Sequence, residues 1–377
     1  MIITNDFFIE YYRKFRKFQL FYSDEPLPND LLFEDIWKKI LKTKKRVLCF
    51  SQIDFASTPK EDLENSCYEK MKAAFEKDKQ TPVIMFLSGQ EVDQKKFEPL
   101  IKLSPRKVFF INDYGYSDST HYSVQTSHRA WKGYINNVPF IPHNDRPYTT
   151  SALSNRFEVA RWLFIVKLLM CKVNSCITFH NHDSINSQSF FNLCQSELAT
   201  TPDKNIMTKI DELLNSAPIR PDFITDPWNK GFYNQWQQND LSMHMRSRLN
   251  LTLEGSYIDR GKGVNLTEKT GKCLASGTFP LHIGQSGGFD RLQSWGFEGF
   301  KNNDKFNLDY DQLEPDFLSA NFRSKKVEKI FKMLESLNDN IDVEDICKKN
   351  YNWFHNGWYD HCEKQNEVEI ARLSGNL

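Results

Sequence analysis

Several classes of protein are excluded by what these 377 residues lack. No run approaches the ~18 apolar residues of a membrane-spanning helix, and the amino-terminal stretch has no secretory apolar region. The expected location is therefore the cytoplasm, that of the host if the chain is viral, with no membrane span. Neither sign of charge is in excess: Lys+Arg and Asp+Glu stand at 49 each, so any contact with nucleic acid is a local patch. The eight cysteines form no C-x-x-C pair, and scattered through a chain this long they read as free thiols of a reducing compartment. No D-x-D pair sits at a strand end with ligand spacing, so neither a metal nor another obligatory cofactor is expected. There is no internal repeat and no low-complexity tract.

What is present is an alternating α/β pattern with enough apolar residues, 40% of the chain, for two cores. Arg46 to Asp54, Thr81 to Ser88 and Lys107 to Asn112 are apolar runs that end in polar turns, and Glu64 to Lys77 has helical spacing. Asp6 to Lys17 and Asp30 to Thr43 read as two further helices ahead of them. Pro142 to Thr150 has the composition of a linker. A second half follows: strand Tyr148 to Leu153, helix Phe157 to Lys172 and strand Ser175 to His180. Lys325 to Leu337 and Val343 to Leu373 read as closing helices. The expected division is 1–145, 146–325 and 326–377, and strands alternating with helices imply parallel pairing.

The chemistry concentrates between Leu249 and Gly284. Leu249 to Leu253 is a strand with an acid, Glu254, at its carboxyl end, followed by the turn residues Gly255, Ser256 and Tyr257. Thr267 is the N-cap of a helix that carries Glu268 and Lys269 in its first turn and stops at Gly277. Phe279 to Ile283 is the next strand. Singly these residues have ordinary roles: Glu254 could end an edge strand in water, and an acid often opens a helix. Together they place two carboxylates and a lysine at one crevice, where free helix N–H groups attract phosphate.

The unit resembles the signature of fucosyltransferase-type GT-B glycosyltransferases: an F-E-N-S-like turn, a Y-V-T-E-K-like helix start and G-x-x-P-x-x-x-G. Here these are Leu253-Glu254-Gly255-Ser256, Asn265-Leu266-Thr267-Glu268-Lys269, and Gly277 to Pro280 with Gly284. Gly255 replaces the family's asparagine and Asn265-Leu266 its Tyr-Val, so the resemblance does not carry the identity of the sugar. Gly287 to Phe300 and Leu308-Asp309-Tyr310-Asp311 are similar to segments of bacteriophage-encoded glycosyltransferases. Ser154-Asn155, with five residues between the asparagine and Arg161, matches the S-N-x5-R spacing whose arginine clamps the donor diphosphate in that family, and Arg156 is a nearby substitute.

The resemblance implies a GT-B fold: two Rossmann-like domains facing across a cleft, with C-terminal helices reaching back to the first. It implies a sugar moved from a nucleoside-diphosphate donor to an acceptor hydroxyl. Lys269, Arg161 and the helix start at Thr267 would hold the diphosphate; Glu254 and Glu268 would take hydroxyls, with Ser256 and Tyr257 beside them. If the reaction inverts, Asp113 or Asp54, each at or just past the end of an apolar run, is the candidate base. The acceptor is a hydroxymethylated base of phage DNA, gripped through Tyr11 to Lys17 and Lys39 to Arg46, or alternatively a glycan or lipid-linked saccharide. A non-catalytic α/β binding module is the alternative from another class. His180-Asn181-His182-Asp183, with no further ligands at metal spacing, reads as local hydrogen bonding.

Overall fold

A computed structural model of the chain describes residues 19–28, 31, 34–43, 46–53, 60–88, 102, 108–112, 119, 121–125, 128, 131, 138–154, 157–181, 184–222, 241–254, 264, 266–301, 303–313 and 319–377, without the side chains of 19, 43, 51–53, 60–68, 87, 88 and 121. The chain is α/β and divides into two compact units, each with its own largely parallel sheet. The described parts of one fall within Asn5–Ala130, Arg260–Asn265 and Tyr359–Leu377; those of the other fall within Trp131–Asp259 and Leu266–Trp358.

In the first unit β1 (Gln19–Tyr22), β2 (Leu48–Ile53), β3 (Val83–Ser88), β4 (Val108–Asn112) and β5 (His121–Ser123) lie in chain order. β1 pairs antiparallel with β2, and the remaining pairs are parallel. Helix α1 (Glu34–Ile40), extended by a 3₁₀ turn at Leu41–Thr43, precedes β2, and α2 (Lys60–Lys77) links β2 to β3. Successive strand residues point to opposite faces, and here both faces are covered, which is why the strands read as unbroken apolar runs. Cys49, Ile84, Phe86, Phe109 and Ile111 meet Trp37 of α1 with Ile370 and Leu373 of the chain's last helix. Leu48, Phe50, Met85 and Phe110 meet Met71 and Phe75 of α2. The last helix is tied to the segment after β5 by a reciprocal pair: Asn366 Oδ1 accepts from Gln125 N and Asn366 Nδ2 donates to Gln125 O, each at 2.8 Å. The expected helix at Asp6 to Lys17 lies outside the described residues. Strand β1 has no counterpart in the sequence reading.

In the second unit β6 (Tyr148–Ser154), β7 (Ser175–Phe179), β8 (Ser247–Leu253) and β9 (Phe279–Ile283) are all parallel, in the order β7-β6-β8-β9. Helix α3 (Val159–Met170) joins β6 to β7. Helices α4 (Ser187–Leu198), α5 (Lys204–Ser216) and the short α6 (Ser242–Met245) lie between β7 and β8, and α7 (Glu268–Ser276) joins β8 to β9. After β9 come α8 (Gly288–Ser294), α9 (Ala320–Glu335), α10 (Glu344–Trp353) with a π turn at Phe354–Trp358, and then α11 (Tyr359–Asn376), the last helix of the first unit. Local chemistry sets many of the helix starts: Asn186, Asp203, Thr267 and Ser319 each cap one by accepting a backbone N–H. Helix α7 stops at Gly277, whose φ of +65° belongs to the left-handed region and whose Cβ, if present, would meet Phe140 at 2.6 Å.

The stretch read as a linker is packed inside this unit. His143 and Arg146 are each 3% exposed, and the Arg146 guanidinium has found a set of carbonyls. Nε donates to Ile141 O at 2.9 Å, Nη1 to Ser247 O at 2.7 Å and Thr278 Oγ1 at 2.9 Å, and Nη2 to Ser276 O at 2.8 Å. Burial lowers its pKa to about 10, still high enough to keep the charge. Replacing this side chain with an apolar one would strand those acceptors in the interior. We expect Arg146→Met to lower the unfolding free energy by about 3–5 kcal/mol, measured by urea denaturation. A loss under ~1 kcal/mol would mean that the carbonyls find other donors.

Candidate functional site

The strand order of the second unit defines the place to look. The chain leaves β6 for β7 on one side and returns past β6 to β8 on the other, so it reverses direction between β6 and β8. In open α/β sheets the crevice outside the carboxyl ends of the strands at such a reversal is where ligands bind. Ser154 ends β6 and Leu253 ends β8, and α3 and α7 start from that same edge.

Glu254 follows β8 but does not end an edge strand in water. It is 2% exposed, and its N–H donates to Ile283 O at 2.9 Å. Its carboxylate is used up locally: Oε1 accepts from Thr270 Oγ1 at 2.7 Å and Thr267 N at 3.2 Å, and Oε2 accepts from Thr267 Oγ1. Glu254 thus clamps the start of α7 to the end of β8. Gly284 permits the close fit, since a Cβ there would lie 2.9 Å from both Glu254 Cβ and the His282 ring.

Glu268 and Lys269 stand on the clamped turn. Lys269 Nζ lies 3.1 Å from Glu268 Oε1, 3.3 Å from Thr267 Oγ1 and 3.9 Å from Glu254 Oε2. Glu268 is 9% exposed, and its second oxygen, Oε2, is buried with no hydrogen-bond partner among the described residues. Burial pushes its pKa up, but Lys269 and Lys272 outweigh that and hold it below the ordinary value. The carboxylate therefore stays ionised while offering one unused acceptor.

Arg161 occupies the equivalent place on α3. It is 7% exposed, its Nη2 lies 3.0 Å from Glu158 Oε1, and its Nε is buried with no partner among the described residues. Because Glu158 is the N-cap residue of α3, the guanidinium sits at the helix start, on the carboxyl edge of the sheet. Two helices flanking the reversal thus carry a cation in the first turn. The helix dipole disfavours cations there by ~0.3–1 kcal/mol each, whereas an anion at that place is favoured.

The other glycine-rich turn at this edge, Gly284 to Gly288, is closed. Gly288 N and Phe289 N, at the start of α8, already donate to the Asp311 carboxylate at 3.2 and 2.8 Å, and Lys326 Nζ donates to Gly284 O at 2.7 Å. Burial raises the Asp311 pKa against the opposing pull of His282, these N–H donors and Lys326. His282, fully buried on β9 with neither ring nitrogen bonded among the described residues, was not singled out from sequence, where it is one residue of an apolar strand.

Of the remaining sequence candidates, Asp54, Asp113, Arg156, Ser256 and Tyr257 lie outside the described residues. Asn181 binds its own loop, donating to Ile185 O at 3.0 Å and accepting from Ile185 N at 2.9 Å. Among the described residues no three His, Cys, Asp or Glu side chains are grouped to hold a metal ion. Burial raises the thiol pKa of Cys176 to about 11 and those of Cys194 and Cys273 to about 12, which keeps them protonated and poorly nucleophilic. Compared with known proteins, the chain matches no family model, no curated protein and no solved structure.

The Glu268 arrangement has a pH signature. A carboxyl held below 4.5 in the folded chain contributes stability that is complete above pH 4.5 and is lost as the pH falls through its folded value. On acidification below pH 4.5 the melting temperature of the wild type should therefore drop more steeply than that of Glu268→Gln. Parallel curves would mean that the two lysines do not stabilise this carboxylate.

Proposed function

We propose that the chain is a nucleotide-sugar-dependent glycosyltransferase of GT-B type. The observation that carries the reading is the pair of first-turn cations, Arg161 and Lys269, on helices flanking the strand reversal, with the unused Glu268 oxygen beside one of them. A parallel sheet in each unit supports two Rossmann-like domains. In the reaction the bond between the donor sugar and the diphosphate breaks while the acceptor oxygen bonds to the same carbon, and the acceptor's proton passes to a base. Negative charge grows on the departing diphosphate, and cations positioned beforehand stabilise it without reorganising. Arg161 and Lys269 take that role. Glu268 Oε2 accepts a hydroxyl of the nucleotide ribose or the donor sugar. Glu254, with its acceptors occupied by Thr267 and Thr270, positions the helix rather than binding the donor. If the reaction inverts, Asp54 and Asp113 are the candidate bases.

The acceptor is a hydroxyl of a saccharide or of a hydroxymethylated DNA base. In the basic stretch suggested for DNA, Lys39 pairs with Glu367, and Arg46 pairs with Asp24 and lies 4.3 Å over the Tyr22 ring.

Lys269, with a side chain 28% exposed, contributes little packing. Lys269→Ala should therefore cut transfer by about 10²-fold or more, with a fall in melting temperature that reflects the loss of the Glu268 partner and that Lys269→Ala combined with Glu268→Gln should largely reverse without restoring transfer. Normal turnover in that variant would remove the donor site assigned here. Because the two cations supply the charge, excess chelator should leave transfer unchanged; loss restored by manganese or magnesium would overturn that part. Nucleotide sugars should raise the melting temperature, since a ligand that binds only the folded state stabilises it. Transfer with one donor to hydroxymethylated DNA against oligosaccharides identifies the acceptor, and stabilisation without transfer to either would leave a binding module.

A further inference from the structure

Resting on the diphosphate reading above, we infer that Glu158 sets the affinity of the site by competing with the anionic ligand for Arg161. Nε and Nη2 form one of the guanidinium's parallel donor pairs, the arrangement that meets two oxygens of a phosphate at once. Glu158 Oε1 engages Nη2 alone, at 3.0 Å, and Nε is left buried with no partner among the described residues. The resting pair thus half-satisfies the fork, and a phosphate group can satisfy it fully.

The two acids of the site differ in their exposure to water. The Glu268 side chain is 10% exposed and enclosed by the start of α7. The Glu158 side chain is 35% exposed, precedes the helix in extended backbone with φ −146° and ψ 126°, and makes no capping hydrogen bond. With about a third of its side chain in contact with water, Glu158 can exchange Arg161 for solvent when a stronger anion arrives. Glu158 also stands at the positive end of the α3 dipole, where a second anion is repelled. While it occupies Arg161 it therefore weakens binding of any diphosphate. The device screens ligands by charge: a phosphoanhydride displaces Glu158, and a neutral sugar or a lone carboxylate does not.

The test is calorimetric titration of the full chain with GDP, UDP and inorganic pyrophosphate, comparing wild type, Glu158→Gln, Arg161→Ala and the double variant. Glu158→Gln should bind the diphosphate probes about two- to tenfold more tightly, the range set by a partly exposed ion pair. The gain should shrink as salt rises, because screening weakens the competing pair. It should vanish in the Arg161→Ala background, which a merely structural role for Glu158 would not produce. Glu158→Asp, which shortens the acid by one methylene, should show a smaller gain and serves if the glutamine variant does not fold. Wild type and Glu158→Gln binding a probe equally well would overturn the inference and leave the donor site standing. Failure of both proteins to bind any probe would remove the donor site and the inference together.

Discussion

A single buried guanidinium fixes the geometry on which the second unit depends. Arg146 is hydrogen-bonded by carbonyl dipoles and a hydroxyl from the approach to β6, the start of β8, the end of α7 and the residue before β9, with Glu344 adding an electrostatic pull. These groups lie at the amino edge of the sheet. Helix α7 has nine residues, so with a rise of ~1.5 Å per residue its other end is set ~13 Å away, at the carboxyl edge. There the Glu254 carboxylate takes over, gripping Thr267 and Thr270. The helix is held at both ends by buried charges, and Glu268 and Lys269 inherit their positions from that double anchorage.

Glu254 illustrates how burial decides between two readings of one residue. An acid at the end of a strand suits either a ligand hydroxyl or a neighbouring helix. Occupied by two threonine side chains and a backbone N–H, and 2% exposed, it has little left to offer a ligand. Removing such an acceptor would leave its donors unsatisfied, at about 1–3 kcal/mol for each buried group. Its neighbour Glu268 differs in one respect that matters: one oxygen has no hydrogen-bond partner among the described residues.

What was legible in the sequence is what local chemistry determines. Helix α7 is bounded by Thr267, whose hydroxyl accepts from Lys269 N, and by Gly277, whose left-handed backbone suits glycine, so both limits could be read in place. Strand β9 was legible from Phe279 to Ile283 despite Pro280, because it lies at the edge of its sheet, where a missing donor is tolerated. What was not legible depends on distant partners. Arg146 lies in a stretch with turn composition, yet its acceptors at His244, Ser247, Ser276 and Thr278 are 98, 101, 130 and 132 positions away. The strand order, and with it the reversal between β6 and β8, comes from pairings that no local pattern encodes. β1 is four residues long and exists through its pairing with β2.

The site breaks a local rule twice in the same way, and the repetition carries meaning. A cation in the first turn of a helix opposes the dipole, and chains fold most reliably when such choices agree with the structure around them. Arg161 and Lys269 both violate the preference, each beside an acid that offsets the conflict. One violation could be incidental. Two, on helices that flank the sheet's reversal and are accompanied by a buried donor and a buried acceptor without hydrogen-bond partners among the described residues, form one electrostatic frame. On the glycosyltransferase reading proposed above, a nucleoside diphosphate bearing a sugar would match that frame, with negative charge for the two cations and hydroxyls for the Glu268 oxygen.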